Sequence, residues 1–338
     1  MSTNTESESA DAQPATTPDD GSSDVESEMD VDDATTAETA ENTQPKGEPE
    51  PDLESEPDSE PEQESNTDGE ADEDVEEDAE EEADVGTGPP SQFQAAIMGG
   101  DIKEFVGTLR AIVDEVKFNV EPDGIQVRAV DPANVAMDDG VLSAGAFESY
   151  DASEGVLGLN LERLEGVLKL AKKDDLVELS FDTNTFKLVI YIDGVEFTMA
   201  CIDPDSIRSE PEIPDMDLPA SFTVDESQIR RGVKAADMVS DHIQIRCDET
   251  EQAVFIEAQG DTDDVSLELT EEEYTELTAV DAEALFSLDY VKDISRKFPK
   301  NAAISITFGT DFPMMIEYEF ADGECEILSM IAPRIRSN

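Results

Sequence analysis

Apolar residues return at helical spacing in four stretches of the chain. In 225–238 the stripe is Ile229, Val233 and Ala236, at i, i+4 and i+7, which turns Arg230, Arg231 and Lys234 together onto another face. Asp225 stands where a side-chain oxygen can cap the first turn, and Glu226 suits the positive helix end. In 101–114 the apolar set is Ile102, Phe105, Val106, Leu109 and Ile112; in 160–173 it is Leu161, Leu164, Leu168 and Ala171; in 287–300 it is Leu288, Val291, Ile294 and Phe298. The spacing predicts four amphipathic helices.

Between them the period drops to two, which predicts strands. The first half reads as strands at 93–97, 116–120, 125–130, 135–143, 147–152, 156–159, 176–181, 186–192 and 195–202. The second reads as strands at 222–224, 243–247, 254–258, 265–269, 283–288, 304–308, 314–320 and 325–331. E-P-D-G and D-G supply tight turns. L-G-L-N-L-E-R-L before the second helix echoes L-F-S-L-D-Y-V before the fourth, so the order recurs. The expected fold is α+β, with two copies of a β-α-β-β-β-α-β-β-β unit of about 110 to 120 residues, an ordinary domain size. Domains are expected at 91–202 and 220–338. Pro204, Pro211, Pro214 and Pro219 make 203–219 an extended connector, whose Ile213, Met216 and Leu218 either pin it to a sheet or line a partner groove.

Charge divides the chain differently. Residues 1–90 carry 34 acids against the single base Lys46 and no aromatic residue, and they are expected to be a disordered acidic tail leading to a flexible hinge at 86–90. Residues 91–338 carry 52 acids and 20 bases, and 13 of those bases fall in the four helical stretches. Cations on one solvated helix face are ordinary, but four such helices in so acidic a chain suggest one surface built to lie near a polyanion. The acidity elsewhere fits a cytoplasm at molar salt, where the Debye length is about 3 Å, or an acidic partner-binding protein at ordinary salt.

Catalytic and metal chemistry find little support. Cys201, Cys247 and Cys325 are widely spaced and read as buried free thiols, and His242, the only histidine, has no neighbouring ligand. The chain has no Gly-rich phosphate loop and no H-x-x-x-H, so no enzyme, cofactor or metal is expected. No signal peptide and no run of roughly 18 to 20 apolar residues appears, which points to a cytoplasmic protein without a membrane partner.

G-I-Q-V-R-A-V-D-P-A-N-V-A, G-L-N-L-E-R-L-E-G-V-L-K-L-A, F-P-M-M-I-E-Y-E-F-A-D and M-I-A-P-R-I together resemble the sliding clamps of archaea and eukaryotes, the proliferating-cell nuclear antigen family. The resemblance spans 93–335. It implies a head-to-tail homotrimeric ring, helices lining a central hole around duplex DNA and sheets forming the outer wall. Inward-facing cations are then expected at Arg110, Lys169, Arg231, Lys234 and Arg296, to which helical periodicity adds Arg163, Arg230, Lys292 and Lys297. The resemblance also implies a pocket for the docking peptides of DNA polymerase, clamp loader, flap nuclease and ligase. Val130, Asn134, Val135, Ile213, Pro214, Pro313, Met330, Ile331, Ala332 and Pro333 would line it. Its subunit contact would pair 195–202 with 264–269, through Val195, Phe197, Met199, Val265, Leu267 and Leu269.

The inner helices are nearly charge-balanced, with Asp114, Glu162, Glu165 and Asp289 beside the cations, so strong phosphate binding is not expected. A closed ring needs no affinity, since topology retains it and it tethers a polymerase by raising effective concentration at the primer end. The rival reading is an acidic chaperone or scaffold that binds basic proteins through residues 1–90 and encircles nothing.

Overall fold

The computed structural model describes residues 88–209, 211, 213 and 216–335. Its first half runs β1 (Phe93–Met98), α1 (Gly99–Leu109), β2 (Glu115–Glu121), β3 (Gly124–Val130), β4 (Ala136–Ser143), β5 (Phe147–Ala152), β6 (Gly155–Asn160), α2 (Leu161–Leu168), β7 (Leu176–Asp182), β8 (Lys187–Ile192) and β9 (Val195–Ala200). The second runs β10 (Ala220–Asp225), α3 (Glu226–Ala236), β11 (His242–Asp248), β12 (Ala253–Gln259), β13 (Asp264–Leu269), β14 (Tyr274–Thr278), β15 (Ala282–Ser287), α4 (Leu288–Ser295), β16 (Ala303–Phe308), β17 (Met314–Phe320) and β18 (Cys325–Ile331). Both halves therefore share one order, with five strands between their helices; the β-α-β-β-β-α-β-β-β formula undercounts them, although all but β14 coincide with an expected strand.

The strand that alternation does not reveal is β14. Its sequence Y-T-E-L-T has only Tyr274 and Leu277 to bury, yet it pairs with β10 in register from Ser221↔Thr278 to Val224↔Tyr274. The helices are shorter than their apolar periodicity, and α1 begins earlier, at Gly99. A Cβ at Gly99 would lie 2.3 Å from the Lys172 carbonyl oxygen, so the close approach of the α2–β7 segment requires glycine there. Asp225 caps α3 as its position predicts, its Oδ1 accepting from Ser227 N–H at 3.0 Å, and Asn160 caps α2 by accepting from Arg163 N–H.

All the sheet pairings are antiparallel. One five-stranded sheet has the order β5-β1-β7-β8-β9, and a four-stranded one has β13-β12-β11-β15. The third, β14-β10-β16-β17-β18-β4-β3-β2-β6, has nine strands because β18 of the second half pairs with β4 of the first, from Cys325↔Leu142 to Ile331↔Ala136. The connector is thus not what fuses the halves; a continuous hydrogen-bonded ladder does. Apolar faces of helices and strands form one connected core, which includes Phe105, Phe222, Phe286 and Phe308.

The acidic tail falls outside the described residues except for 88–90. Gly88 and Pro89 are exposed and Pro90 is buried, and Val156 N–H donates to the Gly88 carbonyl at 2.8 Å, so the chain is already tied to the fold at 88–90. The cysteines are free, with Cys247 and Cys325 buried and Cys201 half-buried. No cluster of metal-ligating side chains occurs among the described residues, and no helix there is long and apolar enough to cross a membrane.

Candidate nucleic-acid and partner interfaces

The four helices pack in pairs, α1 with α2 and α3 with α4, and each buries its apolar stripe. Cations join the pairs. Arg230 donates from Nε to the Ser295 carbonyl and from Nη2 to the Phe298 carbonyl at 2.6 Å, and Lys292 bonds both oxygens of Asp237. Lys103 reaches the Ala171 carbonyl at the end of the α2 segment. Lys297, just past α4, lies 3.9 Å from Glu165 of α2 and beside Gly107 of α1, so the helices of both halves meet in one layer.

This separates the nine predicted inner-face cations. Arg230 is half-buried and spent on helix capping, so it does not point outward with Arg231 and Lys234 as the helical wheel suggests; α4 lies close enough to draw it in. Lys292 is likewise held between α3 and α4. Arg110 pairs with Asp114 at 2.8 Å, Lys169 with Glu165, Arg231 with Glu273 at 2.7 Å and Arg296 with Asp293. Arg163 and Lys234 are exposed and make no ion pair among the described residues. Of the nine, only Arg163 and Lys234 are free of an ion pair or capping contact among the described residues.

Of the residues expected to line a peptide pocket, Val130, Asn134, Val135, Pro313 and those of 330–333 lie around the loop after β3. Pairing of β18 with β4 sets Met330 opposite Met137, and Ala332 N–H then donates to the Val135 carbonyl at 2.8 Å. Met314 pairs with Ile331, which brings Pro313 to the same corner. Val130, Val135, Ile213, Pro313, Met330, Ala332 and Pro333 are half-buried and Asn134 is exposed. Ile331 is a correction: strand alternation turns it into the core, and it is 0% exposed. Pro214 lies outside the described residues. Phe312, next to Pro313, is 55% exposed, and Ile335 is 93% exposed.

Three residues that sequence reasoning did not assign hold this corner. The Asp131 carboxylate accepts from the backbone N–H groups of Ala133, Val135 and Ala136 at 2.6–2.8 Å and from the Tyr290 hydroxyl at 2.7 Å. Burial opposes its charge, but these donors together outweigh that and hold its pKa below the usual carboxylate value. Arg208, the only cation of 203–219, donates to the Asp131 carbonyl at 2.9 Å and to Asn134 Oδ1 at 2.5 Å, which straps the connector to the loop. Their signals were present in D-P-A-N-V, a turn-forming run, and in that lone connector arginine.

The sheets end in β5 and β9, in β14 and β6, and in β13 and β15; β9 and β13 are the end strands that carry the expected subunit contact. Val195 is 49% exposed, and Phe197, Val265 and Leu267 are half-buried. Met199 and Leu269 are corrections, since each is already covered inside its own half.

Comparison with known proteins bears on this geometry. Residues 92–205 match the family model described as proliferating cell nuclear antigen, N-terminal domain. A DNA polymerase sliding clamp of Haloarcula marismortui is 46% identical over 245 residues, covering 72% of this chain and 99% of the relative. The chain belongs to the sliding-clamp family. A clamp of Methanosarcina barkeri is 40% identical over 73% of this chain and all of its own length. Among solved structures, one titled as the C-terminal region of FEN-1 bound to A. fulgidus PCNA superposes with a TM-score of 0.69 at 32% identity, covering 73% of this chain and 100% of that one. The clamp of Thermococcus kodakaraensis gives 0.67 at 29% identity, over 72% of this chain. The sequence is that of a halophilic archaeal clamp: its acidity and its identity to clamps of Haloarcula marismortui and, at 45%, Natronomonas pharaonis agree.

Proposed function

We propose that three copies of this chain close into a ring around duplex DNA, through which DNA polymerase and other replication enzymes are tethered. The observation that carries the reading is that the chain contains one ring joint, β18 on β4, and the two free edges needed to repeat it. In the first half the row Ala95, Leu179, Ile190 leads to Phe197; in the second the equivalent row Phe222, Ile306, Ile316 leads to Ser329. Similarly, Gly155, Val120, Ile125 leads to Leu142, and Ala282, Cys247, Val254 leads to Leu269. Thus β9 corresponds to β18 and β13 to β4. Transferring the joint's register sets Val195 opposite Leu267 and Phe197 opposite Val265 across neighbouring chains, which would cover the β9 and β13 edges.

A head-to-tail contact of this kind, repeated with closure, makes a ring whose helix layers face the same way. Arg163, Lys169, Arg231, Lys234, Arg296 and Lys297 are the cations that would face DNA, with Arg110 at their edge. The ion pairs of Arg110, Lys169, Arg231, Arg296 and Lys297 favour sliding over fixed phosphate contact. The corner at Asp131 and Arg208 is the docking site for a short partner peptide, polymerase, flap nuclease, ligase and clamp loader being the classes that would share it. The chain would act in the cytoplasm and without catalysis of its own.

The test is primer extension by a clamp-dependent polymerase in molar KCl. Arg231→Glu with Lys234→Glu is expected to reduce stimulation severalfold while light scattering still finds a trimer. Undiminished stimulation would remove the helix layer from the DNA-facing role.

A further inference from the structure

The joint inside the chain and the seam between chains share one scaffold but not one set of side chains. On the core side of the joint, Ser329 lies opposite Asp138 and Ile327 opposite Gly140. Both Ser329 and Asp138 are 0% exposed, and the serine hydroxyl donates to Asp138 Oδ1 at 2.6 Å. The second oxygen, Oδ2, is buried and has no partner among the described residues. Gly140 is closely covered: an added Cβ would lie 3.1 Å from both Ile327 Cδ1 and Phe105 Cε2, so those side chains would have to shift. At the seam the equivalent positions are Phe197 opposite Val265 and Val195 opposite Leu267, all apolar.

We propose that the Ser329–Asp138 hydrogen bond marks the joint within the chain and prevents it from being exchanged for the seam between chains, an inference that rests on the ring proposed above. When three chains assemble, each presents two edges of one kind, β9 and β18, and two of the other, β4 and β13. Pairing β9 with β4 would set the Phe197 ring against a carboxyl that has lost its only donor. Pairing β18 with β13 would bury the Ser329 hydroxyl against Val265 with nothing to accept from it. Each exchange leaves a buried polar group unmet, a penalty of roughly ten- to a hundredfold in the pairing equilibrium. Correct pairing satisfies the serine and keeps the apolar seam apolar. A buried polar pair of this kind adds little stability over an apolar replacement, and register and partner choice are the uses best attested for such pairs.

The test uses the full chain, unfolded in guanidinium and refolded in molar KCl at several concentrations, with mass read by light scattering. Wild type is expected to return as one trimeric species. Asp138→Val with Ser329→Ala is expected to fold, but to give species larger than a trimer whose share rises severalfold with concentration. A clean trimer at every concentration would overturn the proposal. A second pair of variants does not depend on that chain folding. Phe197→Ser should raise the concentration at which the trimer dissociates at least tenfold, and adding Val265→Asp at pH 6 should recover most of the loss by rebuilding the polar pair in the seam. A double variant weaker than Phe197→Ser alone would also overturn it. Wild type that is monomeric in molar KCl removes the ring reading itself, a failure visible before any variant is made.

Discussion

The Tyr290 hydroxyl donates to the Asp131 carboxylate at 2.7 Å, a bond from the fourth helix to the loop that follows β3, 159 residues away. Asp131 is buried, and its remaining acceptor capacity is used by three backbone N–H groups of that loop. The loop's shape, and with it the peptide corner, therefore hangs on one side chain that also ties the two halves together. Asp131→Ala is expected to cost about 2–3 kcal/mol of stability, since it leaves buried donors unpaired. Arg208→Ala removes only the strap to the connector. It should leave the melting temperature within about 2 °C of wild type while weakening a docking peptide roughly tenfold by calorimetry, because the pocket's connector wall must then be ordered on binding.

Two buried aspartates give the chain opposite pH dependences. Burial pushes Asp138 up to about 7, only partly opposed by the Ser329 hydroxyl. A folded pKa above the unfolded value means stability present at low pH and lost as pH rises from about 4 to about 7, by up to about 4 kcal/mol. Asp131 has its pKa lowered, so its contribution is present above the ordinary carboxylate range and is lost on acidification below it. Asp138→Asn is therefore expected to raise the unfolding midpoint most at pH 8, with the gain shrinking towards pH 4. A gain independent of pH would show that Asp138 does not titrate in this range.

Arg230 and Lys234 sit on one helix and are predicted to behave differently. Arg230→Ala removes charged donors to two carbonyls at the end of α4 and should cost about 1.5–3 kcal/mol. Lys234→Ala, on the exposed face, should change stability by less than about 0.5 kcal/mol. Chemical denaturation of both variants in the same salt separates the two roles.

The repeat was legible in the chain because each strand meander and each helix carries its own period. Ile229 with Val233, or Leu179 with Phe181, announces its element without help from elsewhere. What stayed hidden depends on contacts distant in sequence. Tyr274 and Leu277 make a strand only because β10 offers an edge, and Arg230 turns inward only because α4 ends beside it. The helical wheel places Arg230 correctly relative to its neighbours but knows nothing of the Phe298 carbonyl. Likewise, alternation could have sent Ile331 to the core side of β18, yet resemblance to the family grouped it with its neighbours Met330 and Ala332 in the pocket. The Asp138–Ser329 pair could not be read at all, since it forms only after β18 lands on β4, 191 residues away.

If β9 of one chain continues the sheet into β13 of the next, a disulfide placed across that seam will lock the ring covalently. Directly opposed strand residues have Cα atoms about 4.5–5.5 Å apart, within the reach of a disulfide. The variant carrying both Val195→Cys and Leu267→Cys, oxidised in molar KCl, is expected to run on a denaturing gel as a covalent trimer of three 36.8 kDa chains, whereas wild type with its native thiols stays monomeric there. A variant that remains monomeric after oxidation, or that yields only an open-ended ladder of sizes, would contradict the closed ring.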